Sequence, residues 1–462
     1  MPLVKNDVIP LVITALSNDG SGVGRAPDGL AVFVPFTAVG DALTVKIVKV
    51  CKSYAFGIVQ RIETPSPDRV APACPLFGKC GGCCFAHLSY EAELRAKQSF
   101  AADAMRRIGG IDTPVEPILP SPQSERYRNK VQYPLTQDAD GTVRAGFFAP
   151  RSHRVLPCAD CLLQPVLLND ITRRACALLT QYRVPVYSEE THRGLVRHLY
   201  LRHAVTTGRV LLCFVLNGTA LPHGKDICAA LVREFPAIET IVLNVNTART
   251  NVVTGEACVP LFGGGLLHDT LSGVPVSLSP LSFYQVNTEG ANRLYAAAAR
   301  LAALQPQETL LDLYCGAGTI GLSMAAQCKK LIGVEIVPDA VESARRSAAA
   351  MGVQHAEFVC ADAGETAQRL AGAHLAPDCI VLDPPRKGCD DAALQAVARM
   401  APPRIVMVSC NPATAARDAA ALVRLGYAVR TVQPVDMFPR TKHVETCVLL
   451  SHKNPQTSPP SL

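Results

Sequence analysis

Several features are missing from this 462-residue sequence, and each absence narrows its class. There is no uninterrupted apolar run long enough to span a bilayer. The opening residues Met1-Pro2-Leu3-Val4-Lys5-Asn6-Asp7 also lack the apolar core of a secretory leader. A cytoplasmic location is therefore expected. No internal repeat is present, and no strong excess of one charge: 45 Lys and Arg against 39 Asp and Glu leave a net +6. That balance permits a polyanionic partner without demanding one. What is abundant is cysteine, with 18 residues. In a reducing compartment these point to metal ligation or catalysis for some and inert core thiols for the rest. Cys176, Cys213, Cys228 and Cys328 lie in apolar stretches and read as small hydrophobes.

Length suggests two to four domains. Residues 1–64 carry short strands broken by Gly/Asp turns, at Val12–Leu16, Ala31–Pro35, Ala42–Val50 and Ala55–Ile62, which predicts a small β-barrel of the oligonucleotide-binding kind. Residues 65–280 begin with a cysteine-rich loop and a helix from Tyr90 to Ile108, then continue as an α+β region. Two cationic runs fall there, Glu125-Arg126-Tyr127-Arg128-Asn129-Lys130 and Arg151-Ser152-His153-Arg154; they suit phosphates and bases, or simply a solvated face. From residue 281 to 454 strand, loop and helix alternate, predicting a mainly parallel sheet covered on both faces. The Pro- and Ser-rich tail, 455–462, is expected to be disordered.

Leu310-Leu311-Asp312-Leu313-Tyr314-Cys315-Gly316-Ala317-Gly318 reads as a buried strand entering a glycine turn. Such a turn lets a ligand approach the backbone at the carboxyl end of the first strand. Glu335 closes the second strand, placed to accept hydrogen bonds from a ribose diol. The third glycine of the dinucleotide fingerprint is missing, and Asp312 would suit a cationic amino-acid group better than a pyrophosphate. S-adenosylmethionine is the expected cofactor. Asp362, after the third strand, either reaches the adenine or caps the helix that follows.

Asp383-Pro384-Pro385-Arg386 follows the fourth strand; its prolines hold the backbone extended so that Asp383 faces substrate and cofactor. Cys410 closes the fifth strand just before a helix, whose N-terminal potential would lower the thiol pKa. A thiol beside a methyl donor suits alkylation of a pyrimidine at carbon 5. The thiolate adds to carbon 6, the resulting enolate takes the methyl at carbon 5, and a base removes the carbon-5 proton. Glu445 is the candidate base. Reaching a base from both faces favours a nucleotide flipped out of folded RNA.

The spacing Cys74-x5-Cys80-x2-Cys83, with Cys158 and Cys161 downstream, fits uneven iron–sulfur ligation better than the paired hooks of zinc sites. The radical S-adenosylmethionine spacing is absent. Cys84 and Cys158 compete for their neighbours' places.

Together these residues resemble the RNA uracil-5-methyltransferase family, in its bacterial 23S ribosomal RNA branch, over nearly the whole chain. Gly22-Val23-Gly24-Arg25 and Val32-Phe33-Val34-Pro35 look like a TRAM RNA-binding barrel, and His87-Leu88-Ser89-Tyr90-Glu91-Ala92 matches the family's iron–sulfur segment. The resemblance implies a [4Fe–4S] cluster on Cys74, Cys80, Cys83 and Cys161, Cys161-Leu162-Leu163-Gln164 standing at the fourth ligand's place. It implies Gln285, Tyr314, Gly316, Glu335, Asp362 and Asp383 as cofactor-site residues, a class I methyltransferase fold, Cys410 as nucleophile and Glu445 as base. Tyr90 to about Pro120 is implied to fold against the catalytic domain. One departure is small: Ala86 stands where the family commonly has glutamine. Because the transfer RNA branch typically lacks barrel and cluster, 23S ribosomal RNA is the implied partner. A cytosine-5-methyltransferase is disfavoured, since Pro384-Pro385 leaves no cysteine after the first proline.

Overall fold

Inward-facing aliphatic residues at alternate positions close the N-terminal strands on themselves. In the computed structural model, which describes residues 3–453, β1 (Val8–Leu16), β2 (Ser21–Arg25), β3 (Ala31–Pro35), β4 (Ala42–Val50) and β5 (Tyr54–Thr64) form a closed barrel in the order β1-β2-β3-β5-β4. Leu11, Ile13, Val32, Val34, Leu43, Val45 and Ile47 fill it. The sequence pattern did not separate β2 as a strand. Its two glycines mute the strand signal, yet they are what the close crossing needs: a Cβ on Gly24 would lie 2.5 Å from the Val12 carbonyl oxygen. The expected disordered tail lies outside the described residues.

The helix α1 (Tyr90–Arg107) is capped by Ser89, whose side chain accepts the Ala92 N–H. Next come β6 (Lys130–Gln137), β7 (Val143–Phe148), β8 (Val155–Pro157), α2 (Val166–Gln181), β9 (Val196–His203), β10 (Val210–Leu216), α3 (Gly224–Glu234), β11 (Ile238–Val245) and β12 (Ala257–Phe262). Their strands make a seven-stranded sheet, β12-β11-β10-β9-β6-β7-β8, with α2 and α3 packed on one face through Leu168, Ile171, Leu178, Ile227 and Leu231. Strand β10 is buried along its whole length. Its other face, through Leu211, Cys213 and Val215, shares a core with the C-terminal region.

A hairpin, β13 (Leu267–Leu271) and β14 (Val274–Leu278), leads to α4 (Thr288–Ala302). The alternating region then runs β15 (Thr309–Leu313), α5 (Thr319–Met324), β16 (Lys330–Glu335), α6 (Pro338–Ala350), β17 (Ala356–Cys360), α7 (Ala363–Gly372), β18 (Cys379–Leu382), α8 (Asp391–Arg399), β19 (Arg404–Ser409), α9 (Pro412–Arg424), β20 (Tyr427–Val435) and β21 (Glu445–His452). The sheet order is β17-β16-β15-β18-β19-β21-β20, parallel except for β21, which runs antiparallel to both β19 and β20. Order reverses between β15 and β18, which opens a crevice at the carboxyl ends of the parallel strands.

The segment after α1 returns to this sheet. Val115 and Leu119 bridge to Val432 and Val435 of β20, and Met105 shares a core with Ala415, Ala416 and Ala419 of α9. Lys97 is fully buried, its Nζ donating to Glu93 Oε1 at 2.7 Å and Asp436 Oδ1 at 2.8 Å. A buried cation held by two carboxylates offsets much of its own desolvation, and removing one partner strands a charge. No helix among the described residues is long and apolar enough to cross a membrane.

Candidate active site and thiol cavity

The crevice at the strand reversal is a cavity of about 1010 Å³. Gln285, Tyr314, Gly316, Glu335, Asp362, Asp383, Cys410 and Glu445 all line it. Residues from the α4 N-terminal segment, five parallel strand ends and β21 thus meet around one space.

Each arrives by a local device. Tyr314, Gly316 and Gly318 have φ of 63°, 56° and 74°, a left-handed turn that swings the chain out of β15 and exposes backbone N–H groups. The Glu335 carboxylate braces that turn, accepting from Gly316 N and Val337 N at 3.0 Å each. Asp362 accepts the Glu365 N–H at 3.0 Å as the cap of α7, which is the capping reading, and it also lines the cavity. Gln285 is fixed through its backbone: Asn129 Nδ2 donates to the Gln285 carbonyl at 2.8 Å, and Asn129 N to that of Val286. The cationic run at 125–130 therefore contains a structural brace as well as charge. The loop after Asp383 is tied to α9, where Asp418 accepts Cys389 N and Arg417 donates to the carbonyls of Lys387 and Cys389. Gly388 sits there at φ 79°, a left-handed conformation that strains any side chain, with the buried Asp418 Oδ2 2.5 Å from where a Cβ would stand.

Two expectations are corrected. Asp312 does not line the cavity; it is buried beneath α5 and accepts the Gly321 N–H at 2.9 Å. At the end of a buried strand, side-chain direction follows strand parity, and here that parity turns the carboxyl toward the helix. Burial, with Asp383 and Glu335 nearby, pushes its pKa up to about 8. The second correction concerns Cys410, whose pKa is raised rather than lowered. Burial is the largest cause, followed by the Glu445 carboxylate, with Arg386 acting against both. Asn411 caps α9, leaving Cys410 one residue before the helix, where desolvation outweighs the end potential.

The carboxyls share this environment. Burial pushes Asp383 up to about 7. Burial and Asp383 push Glu445 up to about 8, opposed by Arg386. Cavity-lining residues not singled out from sequence include Tyr295, Thr319, Phe283 and Phe438. The Tyr295 hydroxyl meets Thr319 Oγ1 at 2.9 Å. On the apolar face of α4 a tyrosine reads as core, and no sequence signal marks it otherwise.

A second, smaller cavity of about 140 Å³ is lined by Cys74, Cys80, Cys83, Cys158 and Cys161. Cys84 is not among them and packs against Gly20 of the barrel. Burial, then the neighbouring Cys161, Cys80 and Cys74, push the Cys83 thiol up to about 12. Cys161 is held down near 7 by a hydrogen bond from Cys158. As the side chains stand, no three ligating groups among the described residues converge on one point. The donor set is nevertheless soft and crowded, and its mutual repulsion is what a polynuclear cation relieves. Arg128 lines both cavities; Arg440 lines the small one and Phe438 the large. The segment from 436 to 440 connects the two, with the Arg440 carbonyl accepting from Cys84 N at 2.9 Å and from Phe85 N.

Comparison with known proteins agrees with this arrangement. Residues 278–453 match the model of the tRNA (uracil-5-)-methyltransferase family, and residues 3–59 match the TRAM domain. An uncharacterised RNA methyltransferase of Halalkalibacterium halodurans is 41% identical over 98% of this chain and 99% of its own length. The chain belongs to the RNA (uracil-5-)-methyltransferase family. Another relative, from Bacillus cereus, is 40% identical over 97% of this chain and 98% of its own. Among solved structures, the Pyrococcus abyssi tRNA (uracil-54, C5)-methyltransferase in complex with S-adenosyl-L-homocysteine superposes with a TM-score of 0.75 at 27% identity, covering 96% of this chain and all of that one. Membership in this methyltransferase family, with its TRAM domain, implies S-adenosylmethionine as cofactor and RNA as substrate.

Proposed function

We propose that this protein methylates carbon 5 of a specific uridine in 23S ribosomal RNA through a transient bond between Cys410 and the uracil ring, acting in the cytoplasm. The observation carrying this reading is the shared cavity: Cys410 and Glu445 line the same space as Gln285, Glu335 and Asp383. Bound S-adenosylmethionine supplies an electrophilic methyl. Asp383, half-buried at the cavity wall and without an ion-pair partner among the described residues, is suited to a positively charged group, and Glu335 retains acceptor capacity for a ribose beside its two backbone bonds.

In this mechanism Cys410 loses its proton and adds to carbon 6, and Arg386 favours the thiolate by charge and hydrogen bond. Carbon 5, now nucleophilic, would take the methyl as its bond to the donor's sulfonium sulfur breaks, leaving a neutral thioether. Glu445 then takes the carbon-5 proton, and the sulfur departs from carbon 6 as the ring double bond re-forms. A base must be ionised to act, and a cation near Asp383 draws both Asp383 and Glu445 down toward that state. Cys74, Cys80, Cys83 and Cys161 would hold a [4Fe–4S] cluster, with Cys158 hydrogen-bonded beside them; its role in this reading is to fix the thiol loop to the middle sheet.

A specific observation favours a second substrate, transfer RNA. The Pyrococcus abyssi relative acts, by its description, on tRNA uracil-54, and it covers 96% of this chain. Possession of an N-terminal barrel therefore does not by itself separate the two RNA classes. Mapping 5-methyluridine in ribosomal and transfer RNA from a deletion strain decides: a 23S uridine that loses its methyl supports the proposal, and loss confined to transfer RNA replaces it with the second reading.

A further inference from the structure

Five thiols line the small cavity, one more than the proposed cluster needs. The surplus thiol is Cys158, and its neighbour is Cys161. They bracket Cys158-Ala159-Asp160-Cys161, a Cys-x2-Cys spacing that lets two side chains meet across a single turn. The Cys158 thiol donates a hydrogen bond to the Cys161 sulfur, so the two sulfurs already touch. The backbone around them is fixed at both ends. Cys158 N donates to the Ala145 carbonyl of β7 at 2.9 Å, which ties the start of the turn to the middle sheet. The Cys161 carbonyl accepts from Gln164 N at 3.0 Å and from Arg126 Nη1 at 3.2 Å. Between them the Asp160 carboxylate accepts two bonds from Arg126, at 2.6 and 2.8 Å, and one from Asn169 of α2 at 2.7 Å. A turn braced in this way holds both sulfurs at bonding range with little chain entropy left to lose.

The other thiols stand differently. Cys80 and Cys83 share the same spacing, but the Cys80 sulfur accepts from the Gly82 backbone N–H rather than from a thiol. Cys84 faces Gly20 of the barrel, away from the cavity. Cys158 and Cys161 are each half-buried, which leaves a small reagent a way in.

We infer that Cys158 and Cys161 are a redox pair, which a small disulfide such as oxidised glutathione converts to an intramolecular bridge that withdraws Cys161 from iron. The consequence for iron rests on the proposed cluster; the bridge itself does not. Two exchanges balance the step. Deprotonated Cys161 attacks one sulfur of oxidised glutathione, forming a mixed disulfide and expelling one glutathione thiolate. Cys158 then loses its proton and attacks the Cys161 sulfur; the mixed S–S bond breaks and the second glutathione thiolate leaves. Two protein thiols are oxidised, one disulfide is reduced to two thiols, and the released protons end on glutathione. A dithiol reductant reverses both exchanges. Iron and the bridge compete for one sulfur, so the cavity loads its cluster only where thiols stay reduced.

The test uses the full-length protein, purified anaerobically and equilibrated over a range of oxidised-to-reduced glutathione ratios. Visible absorption is followed, and free thiols are then alkylated with N-ethylmaleimide and located by peptide mass spectrometry. The wild type should lose two hydrogens within the peptide carrying Cys158 and Cys161, with neither sulfur alkylated, and dithiothreitol should restore both. Cys158→Ser, close in size and outside the proposed ligand set, should be coloured like the wild type under argon. Under oxidation it should stop at a mixed disulfide on Cys161. Its colour should fade at a ratio about tenfold higher or more, because no neighbouring thiol completes the exchange. A bridge between Cys80 and Cys83 with Cys158 still alkylated overturns the pair, as does fading of wild type and Cys158→Ser at one ratio. A Cys158→Ser protein that is colourless under argon beside a coloured wild type also overturns it, by making Cys158 a ligand. A wild type that never holds iron but still bridges Cys158 to Cys161 removes the cluster and leaves the redox pair standing; an iron-loaded wild type whose Cys158 never bridges does the reverse.

Discussion

The two cavities are built from the same physics and put it to different ends. In the large one, burial raises the carboxyls of Asp383 and Glu445 to about 7 and 8; in the small one, burial and neighbouring thiols raise Cys83 to about 12. Both hold acids that a cation would ionise. The large cavity, at about 1010 Å³, has room for a nucleoside cofactor and a flipped base, and Arg386 stands inside it as a resident counter-charge. The small one, at about 140 Å³ and walled by five thiols, has room for a compact group only. Capacity and an interior cation separate a place where ligands turn over from a place suited to permanent occupation.

Removing the proposed nucleophile should break the comparison most severely. Cys410→Ala should lower methyl transfer by about 10⁴-fold or more, measured as labelled methyl incorporated into RNA, while S-adenosylmethionine binding by calorimetry holds. Activity within tenfold of wild type would take the covalent step away from this sulfur. Next is Glu445→Gln, expected to slow turnover by roughly 10² to 10⁴ and to accumulate an RNA–protein adduct on denaturing gels. A slow variant with no adduct would assign the base elsewhere.

The thiol cavity is sharpened by Cys83→Ser. In anaerobically purified protein it should abolish broad visible absorption and lower thermal stability by several degrees, because ligation contributes to folding. A colourless wild type containing zinc would replace the cluster. The carboxyls make a graded prediction. Glu445 has a folded pKa near 8 against an ordinary value of 4.5, so between those values the folded state binds more protons than the unfolded one. Its contribution to stability is therefore full below about pH 4.5 and lost as pH rises through 8, a span worth on the order of a few kcal/mol. Denaturant midpoints of the ligand-free protein should fall between pH 5 and about 8, and Glu445→Gln should flatten the fall. A wild-type midpoint that rises across this window would refute the raised pKa.

Much of the catalytic sheet was legible because buried parallel strands are nearly continuous apolar runs, as in Leu310-Leu311 and Ile405-Val406-Met407-Val408. The glycine turn and Asp383-Pro384-Pro385 were legible for a related reason: unusual backbone demands unusual residues. What stayed hidden depended on partners distant in sequence. Cys410 is expected from its own helix to be acidic, but burial, and then Glu445 and Asp383 from other strands, raise it instead. The facing of Asp312 depends on which helix covers β15. Tyr295 is indistinguishable in sequence from the core residues of α4, and Arg128 reaches two cavities that no local pattern connects. The β2 strand was missed because glycines needed for close crossing are the residues that weaken a strand signal.

The smallest expected effect lies at Asp362, which caps α7 and also lines the large cavity. Asparagine caps helices about as well as aspartate, so Asp362→Asn should keep the bond to Glu365 N and leave the melting temperature nearly unchanged. Alanine removes the cap and should cost about 1 kcal/mol. If the carboxylate also accepts a hydrogen bond from the adenine amino group, asparagine can still present its amide oxygen and the affinity for S-adenosylmethionine should fall only a few-fold. Alanine should lose about tenfold, the worth of one hydrogen bond at roughly 1.4 kcal/mol. The pair of variants separates the two roles within one residue. Equal cofactor affinity in all three proteins would make Asp362 a cap alone, and the adenine would then be held by the apolar walls of the large cavity rather than by this side chain.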